Sequence, residues 1–128
     1  MHSTIFILYL HIKQVNMNIE NTVSQMKKGL LEMCIMGAIK KDGEAYPSDI
    51  LEQLKGAQLV VLEGTLYPLL TRLKNAGLLN YRWEESTSGP PRKYFSLTKE
   101  GEELYLQLKN SWTDLSNSVN HLTNTIEK

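Results

Sequence analysis

The sequence predicts a mainly α fold with one small β hairpin, arranged as a winged helix-turn-helix with a long C-terminal dimerisation helix. Three observations lead there. Leu66, Leu69, Leu70 and Leu73 recur at i, i+3, i+4 and i+7, the core-facing repeat of a helix. Two β-patterned runs, Leu78–Trp83 and Arg92–Leu97, flank a tip of turn formers and polar residues that includes Ser88-Gly89-Pro90-Pro91. From Lys99 towards Ile126 the apolar residues keep a nearly unbroken helical spacing.

At 128 residues the chain is long enough for one core and short for two. Its 41% apolar content argues against a disordered chain. Fourteen basic residues balance fourteen acidic ones, so only the local placement of charge can argue for nucleic acid. The single cysteine, Cys34, lies in an apolar stretch and reads as a buried thiol, which fits a reducing, cytoplasmic setting. None of His2, His11 and His121 has the Cys, Asp or Glu spacing of a metal site. Glu84-Glu85 reads as loop and Glu102-Glu103 as a solvated helical turn. There is no phosphate-binding glycine loop and no nucleophile motif. The expectation is therefore no metal, no cofactor and no catalysis.

Three segments are expected: residues 1–22 as an N-terminal extension of uncertain structure, 23–97 as the winged module, and 98–128 as the dimerisation helix. Ile5–Ile12 is far shorter than the roughly 20 residues that cross a bilayer, and it lacks a basic leader and a cleavage site. It stays open as an added strand or helix on the core, a membrane-surface anchor, or translation from an upstream start, with Met17 as a sensible beginning. Thr22 and Gln25 fit a capping box, which predicts a first helix from about residue 23 to Lys41. The apolar residues of that helix occupy more than one face, so it needs a second packing partner, most simply another subunit.

Pro47 suits N1 of a second helix ending near Leu54. Gln58–Val61 follows as a short strand or an extended link. The third helix covers roughly Glu63 to Ala76, with Gly77 as its C-cap. Pro68 conflicts with this span, because proline removes a backbone bond and crowds the preceding turn. The span is kept, with an irregular first turn, because the leucine repeat already begins at Leu66. Thr98 can cap the final helix, with acidic residues in its first turn. Leu104, Leu108, Ser111, Leu115, Val119, Leu122 and Ile126 then form a near-heptad seam. The predicted dimer contacts are Leu104, Leu108, Leu115, Val119 and Leu122, helped by Leu31 and Ile35.

With the leucine stripe turned inward, the third helix presents Thr65, Pro68, Arg72 and Asn75, flanked by Tyr67, Thr71 and Lys74. Thr65 lies in the first turn, where backbone amides can also receive a phosphate, and its side chain suits a base edge or a thymine methyl. Tyr67 suits a phosphate or sugar contact, or else supports the second helix. Arg72 suits a phosphate, or else is plainly solvated. Arg92 and Lys93 are adjacent cations beside Gly89-Pro90-Pro91, placed to track a nucleic-acid backbone or enter a minor groove, or else to end a solvated hairpin. Between Val61 and Leu97, Arg72, Lys74, Arg82, Arg92 and Lys93 outnumber Glu63, Glu84 and Glu85. From Thr98 onward the balance reverses.

As a unit, Glu63-Gly64-Thr65-Leu66-Tyr67-Pro68-Leu69-Leu70-Thr71-Arg72-Leu73-Lys74-Asn75-Ala76-Gly77-Leu78 closely resembles the signature of the PadR-like transcriptional regulators. Gly89 to Gly101 resembles that family's wing and the entry to its dimer helix, and Lys28-Gly29-Leu30-Leu31-Glu32 the start of its first helix. The resemblance covers about residue 26 to the C-terminus. It implies a homodimeric regulator, often a repressor, that binds an inverted repeat in double-stranded DNA, in the subgroup with one C-terminal dimer helix. Trp112 matches a family position associated with small aromatic effectors. Tyr46-Pro47-Ser48-Asp49-Ile50 departs from the family's usual Tyr-Gly-Tyr/Phe-Glu-Ile, and residues 1–16 have no counterpart. The rival reading is a non-catalytic winged-helix module that binds protein.

Overall fold

The computed structural model describes residues 2–124. Its elements, in order, are α1 (His2–Asp42), α2 (Pro47–Gly56), α3 (Glu63–Asn75), β1 (Leu79–Glu84), β2 (Arg92–Leu97) and α4 (Lys99–Thr123). The chain divides into two compact units, residues 1–32 and 33–128.

The first unit corrects one expectation. α1 begins at His2, so Thr22 lies inside a helix and caps nothing. A cap must leave the helical conformation, and no glycine or proline between residues 2 and 28 forces the chain to do so. The helix stops instead at Gly43, whose φ of 81° is the left-handed conformation that a side chain penalises.

In the second unit, Ile35, Met36 and Ile39 of α1 are fully buried, as are Ile50 of α2 and Leu66 of α3. Leu70 and Leu73 of α3, Leu54 of α2, Leu79 of β1 and Phe95 of β2 are buried with them. Leu69 is half-buried, so the inward row of α3 is narrower than the sequence repeat. Pro47 occupies the first turn of α2, and Asp49 accepts a hydrogen bond from the Tyr46 amide (3.2 Å). The turn to α3 passes through Gln58 at φ 66° and then an extended link, with no strand. Pro68 is inside α3, as the leucine spacing required. The amides of Thr65 and Leu66 both donate to the Leu62 carbonyl at 3.0 Å, the same shared bond with which Asp49 and Ile50 start α2 at Tyr46, so the first turn of α3 carries no irregularity that sets it apart.

Gly77, at φ 79°, ends α3, and the Leu78 amide returns to the Leu73 carbonyl at 3.0 Å. β1 and β2 pair antiparallel from Leu79↔Leu97 to Glu84↔Arg92. Ala45 adds two backbone bonds to Phe95 (2.9 and 2.8 Å), tying the end of α1 to the hairpin edge. Thr98 caps α4: its hydroxyl accepts from the Gly101 amide (2.9 Å) and donates to the Gly77 carbonyl (2.7 Å). A Cβ on Gly101 would lie 2.1 Å from the Leu78 carbonyl oxygen. Only glycine lets α4 start this close to the end of α3.

Candidate nucleic-acid interface

Because Leu66, Leu70 and Leu73 anchor one side of α3, its opposite side carries Thr65, Tyr67, Pro68 and Arg72 in the open. Tyr67 is 49% exposed, enough to offer a ring face and its hydroxyl. Thr71 is exposed as well, with its hydroxyl committed to the Tyr67 carbonyl (3.1 Å). The Thr65 amide is engaged with Leu62, so the outward amides of this helix start are those of Glu63 and Gly64. Gly64 has nothing within 4 Å of the place a Cβ would take. Its bare backbone therefore serves no packing need and leaves the helix N-terminus open to close approach.

The wing cations are held by aromatic rings that the sequence reading did not single out. The Arg92 guanidinium lies 4.9 Å from the Tyr46 ring centre. The Lys93 ammonium lies 4.4 Å from that of Tyr81 and 5.0 Å from that of Trp83. Each ring face restrains a long side chain that would otherwise be mobile, while its charge remains available to an anion. Strand alternation was the available signal, since Tyr81 and Trp83 share one face of β1 and Lys93 pairs with Trp83.

Arg82 has a different fate. It makes a two-pronged bond to Glu44, at 2.6 and 3.0 Å, and lies 3.3 Å from Glu84. The bond to Arg82 holds the Glu44 carboxyl below its ordinary range, and the same bond pushes Arg82 up. That charge is largely neutralised within the module.

Tyr67 of α3 and Arg92 and Lys93 of the wing line a single cleft of about 410 Å³. Its remaining walls are the start of α2 (Pro47 and Ser48, with Tyr46 as N-cap), Glu63, Leu70 and Thr71 of α3, and Trp83, Pro91 and Phe95 around the hairpin. Thr65, Pro68 and Arg72 lie on α3 outside this cleft.

The predicted dimer residues separate by exposure. Leu115, Val119 and Leu122 are 57%, 49% and 83% exposed, while Leu104, Leu108 and Leu31 are half-buried. Ile35 is fully buried in its own protomer, so it supports the core and has no surface to offer a partner. Ile126 lies outside the described residues. Trp112 is 41% exposed on α4. Among the described residues no group of His, Cys, Asp and Glu could hold a metal, and no helix is long and apolar enough to cross a membrane.

The Transcriptional regulator PadR-like family matches residues 35–107. No curated protein matches the chain. A PadR-like transcription factor from Bacteroides fragilis is 57% identical, over 80% of this chain and 99% of that one, with a TM-score of 0.69. A PadR-like transcriptional regulator from Bacillus cereus is 36% identical over 80% and 99%, with a TM-score of 0.70. PadR of Bacillus subtilis, solved in complex with operator DNA, shares the fold at 24% identity and a TM-score of 0.57, over 62% of this chain and 46% of that one.

Proposed function

This chain belongs to the PadR-like family of transcriptional regulators, and from that premise we propose that it is a homodimeric repressor that binds an inverted repeat in double-stranded DNA. The observation that carries the reading is the cleft that sets Tyr67 of α3 beside Arg92 and Lys93 of the wing. A helix entering the major groove and a cationic hairpin following the backbone need that adjacency. The operator complex of the Bacillus subtilis protein supports it by fold.

In this reading α3 enters the groove by its N-terminus. The open amides of Glu63 and Gly64 meet a phosphate, aided by the helix dipole. Thr65 meets a base edge or a thymine methyl, with Pro68 beside it. Tyr67 and Arg72 contact the sugar-phosphate backbone, and Arg92 and Lys93 neutralise phosphates beyond it. The partner subunit covers Leu115, Val119 and Leu122 on α4, whose 25 residues extend about 37 Å, and also contacts Leu104, Leu108 and Leu31. Two-fold symmetry then sets the recognition helices about 34 Å apart, one turn of DNA. The dimer acts in the cytoplasm, where Cys34 stays reduced.

Selection of bound fragments from random DNA is the test. A recovered inverted repeat is the expected result. A folded dimer with no salt-dependent retention of double-stranded DNA would overturn the reading and leave a protein-binding winged helix. The effector site belongs to the same proposal: Trp112 stacks on a small planar aromatic compound at the subunit boundary. Such a ligand relieves repression only by favouring the arrangement that cannot bind DNA. A saturable fluorescence response that persists unchanged in Trp112→Phe would place the compound elsewhere.

A further inference from the structure

Residues 5–30 of α1 lie ahead of the family match, which starts at residue 35, and they carry a regular pattern of their own. Counting by seven from Ile5 gives Ile12, Ile19 and Met26. The interleaved positions are Leu8, Val15 and Thr22. The described side chains on this seam are open: Ile5 is 71% exposed, Leu8 57%, Ile19 54% and Met26 64%. From Ile5 to Ile19 every a and d position is apolar, two heptads on one continuous helix, and Met26 keeps the a row beyond the polar Thr22; this is the spacing of a supercoiling strand.

We propose that this segment forms a parallel, two-stranded coiled coil with the same segment of a second copy of the chain. The repeat itself argues for a helical partner of equal period, because a strict seven-residue spacing stays on one face only when two helices wind around each other. β-branched isoleucine at the a positions, with leucine first among the d positions, favours two strands over three or four. Charge placement permits self-pairing. Lys13, Glu20, Lys27 and Lys28, the only charged residues between 5 and 30, all fall at b or c, away from the seam. The flanking e positions are Tyr9, Asn16 and Val23, and the g positions are His11, Asn18 and Gln25. A parallel pair of identical strands sets each g against the partner's e, so no pair of like fixed charges opposes it there.

Cysteine cross-linking in the full chain, with Cys34→Ser to remove the only native thiol, tests both the pairing and its direction. In a parallel, in-register coil identical a positions face each other within disulfide reach. Ile19→Cys should therefore oxidise largely to a covalent dimer, with Glu20→Cys, on the outer face, linking at least roughly tenfold less. Equal linking at both positions, or none at Ile19→Cys, overturns the coil. Ile5→Asp with Ile19→Asp should lower the sedimenting species or the helix melting temperature, and no change in either also overturns it. Flotation on phosphatidylglycerol vesicles that is lost in Phe6→Asp, with no cross-link at Ile19→Cys, would replace the second copy by a bilayer surface. Recovery of an inverted repeat by a chain that fails to cross-link would sink the coil alone.

Discussion

α3 and α4 carry apolar repeats of the same kind, yet the chain treats them in opposite ways. On α3, Leu66, Leu70 and Leu73 are at most 2% exposed, shut in by α2 and the hairpin of their own protomer. On α4, Leu115, Val119 and Leu122 keep about half or more of their surface in water. Periodicity identifies a helix and the face it will bury, but not which chain does the covering. Exposure left over after folding shows which row the protomer leaves uncovered. Ile35 makes the same point from the other side, since an apolar residue assigned to the partner is wholly buried at home.

Truncating one leucine from each row should separate the two cases most sharply. Leu70→Ala should cost about 2–5 kcal/mol of protomer stability, because the buried leucine leaves a cavity that close-packed neighbours cannot refill. Leu122→Ala, at 83% exposure, should leave intrinsic stability nearly unchanged and weaken association instead. Urea unfolding read at two protein concentrations resolves these effects. The contrast breaks if Leu122→Ala lowers stability as much as Leu70→Ala, independent of concentration.

The same limit explains what was legible in the sequence. α2, α3, the hairpin and the Thr98 cap follow from local chemistry: a proline at N1, a leucine repeat, alternating strands, a hydroxyl before an acidic turn. Even the proline inside α3 was readable, because burial of Leu66 outweighs one lost backbone bond. The start of α1 was not. Thr22 and Gln25 satisfy a cap locally, but a cap forms only where the helix has another reason to begin. At the site, residue types on α3 were legible from its outward face. The aromatic seats of Arg92 and Lys93 were only partly legible: alternation puts Tyr81 and Trp83 on one face of β1, but it takes the strand register to set Lys93 against them and the fold to bring Tyr46, ahead of α2, under Arg92.

Wing cations invite the next comparison, between Arg92 with Lys93 and the internally paired Arg82. Each phosphate neutralised contributes about 0.9 to the slope of log affinity against log salt. Arg92→Ala with Lys93→Ala should therefore flatten that slope by roughly 1.8 and weaken binding about tenfold or more at low salt. Arg82→Ala should change the slope little, since its guanidinium is bonded to Glu44 and beside Glu84. Titration of one operator at several salt concentrations reads both. An Arg82→Ala slope change as large as that of the double variant would show that Arg82 leaves Glu44 for DNA.

The smallest expected energetic effect separates two glycines of the same module. Gly101 is required by packing, because a Cβ there would meet the Leu78 carbonyl oxygen at 2.1 Å, and Gly101→Ala must displace α4 or the end of α3. Gly64 stands in the first turn of α3 with open space around it, and nothing in the protomer needs the missing side chain. Alanine in a helix is about 0.5–1 kcal/mol more favourable than glycine, so Gly64→Ala should leave stability unchanged or raise it by up to that amount. If the open amides at this helix start receive a phosphate, the added methyl crowds the approach and DNA affinity falls while stability does not. Thermal unfolding and operator titration on one preparation give both readings. A Gly64→Ala protein that binds its operator as tightly as the parent would remove the helix N-terminus from the interface and leave the side chains of α3 and the wing to hold DNA alone.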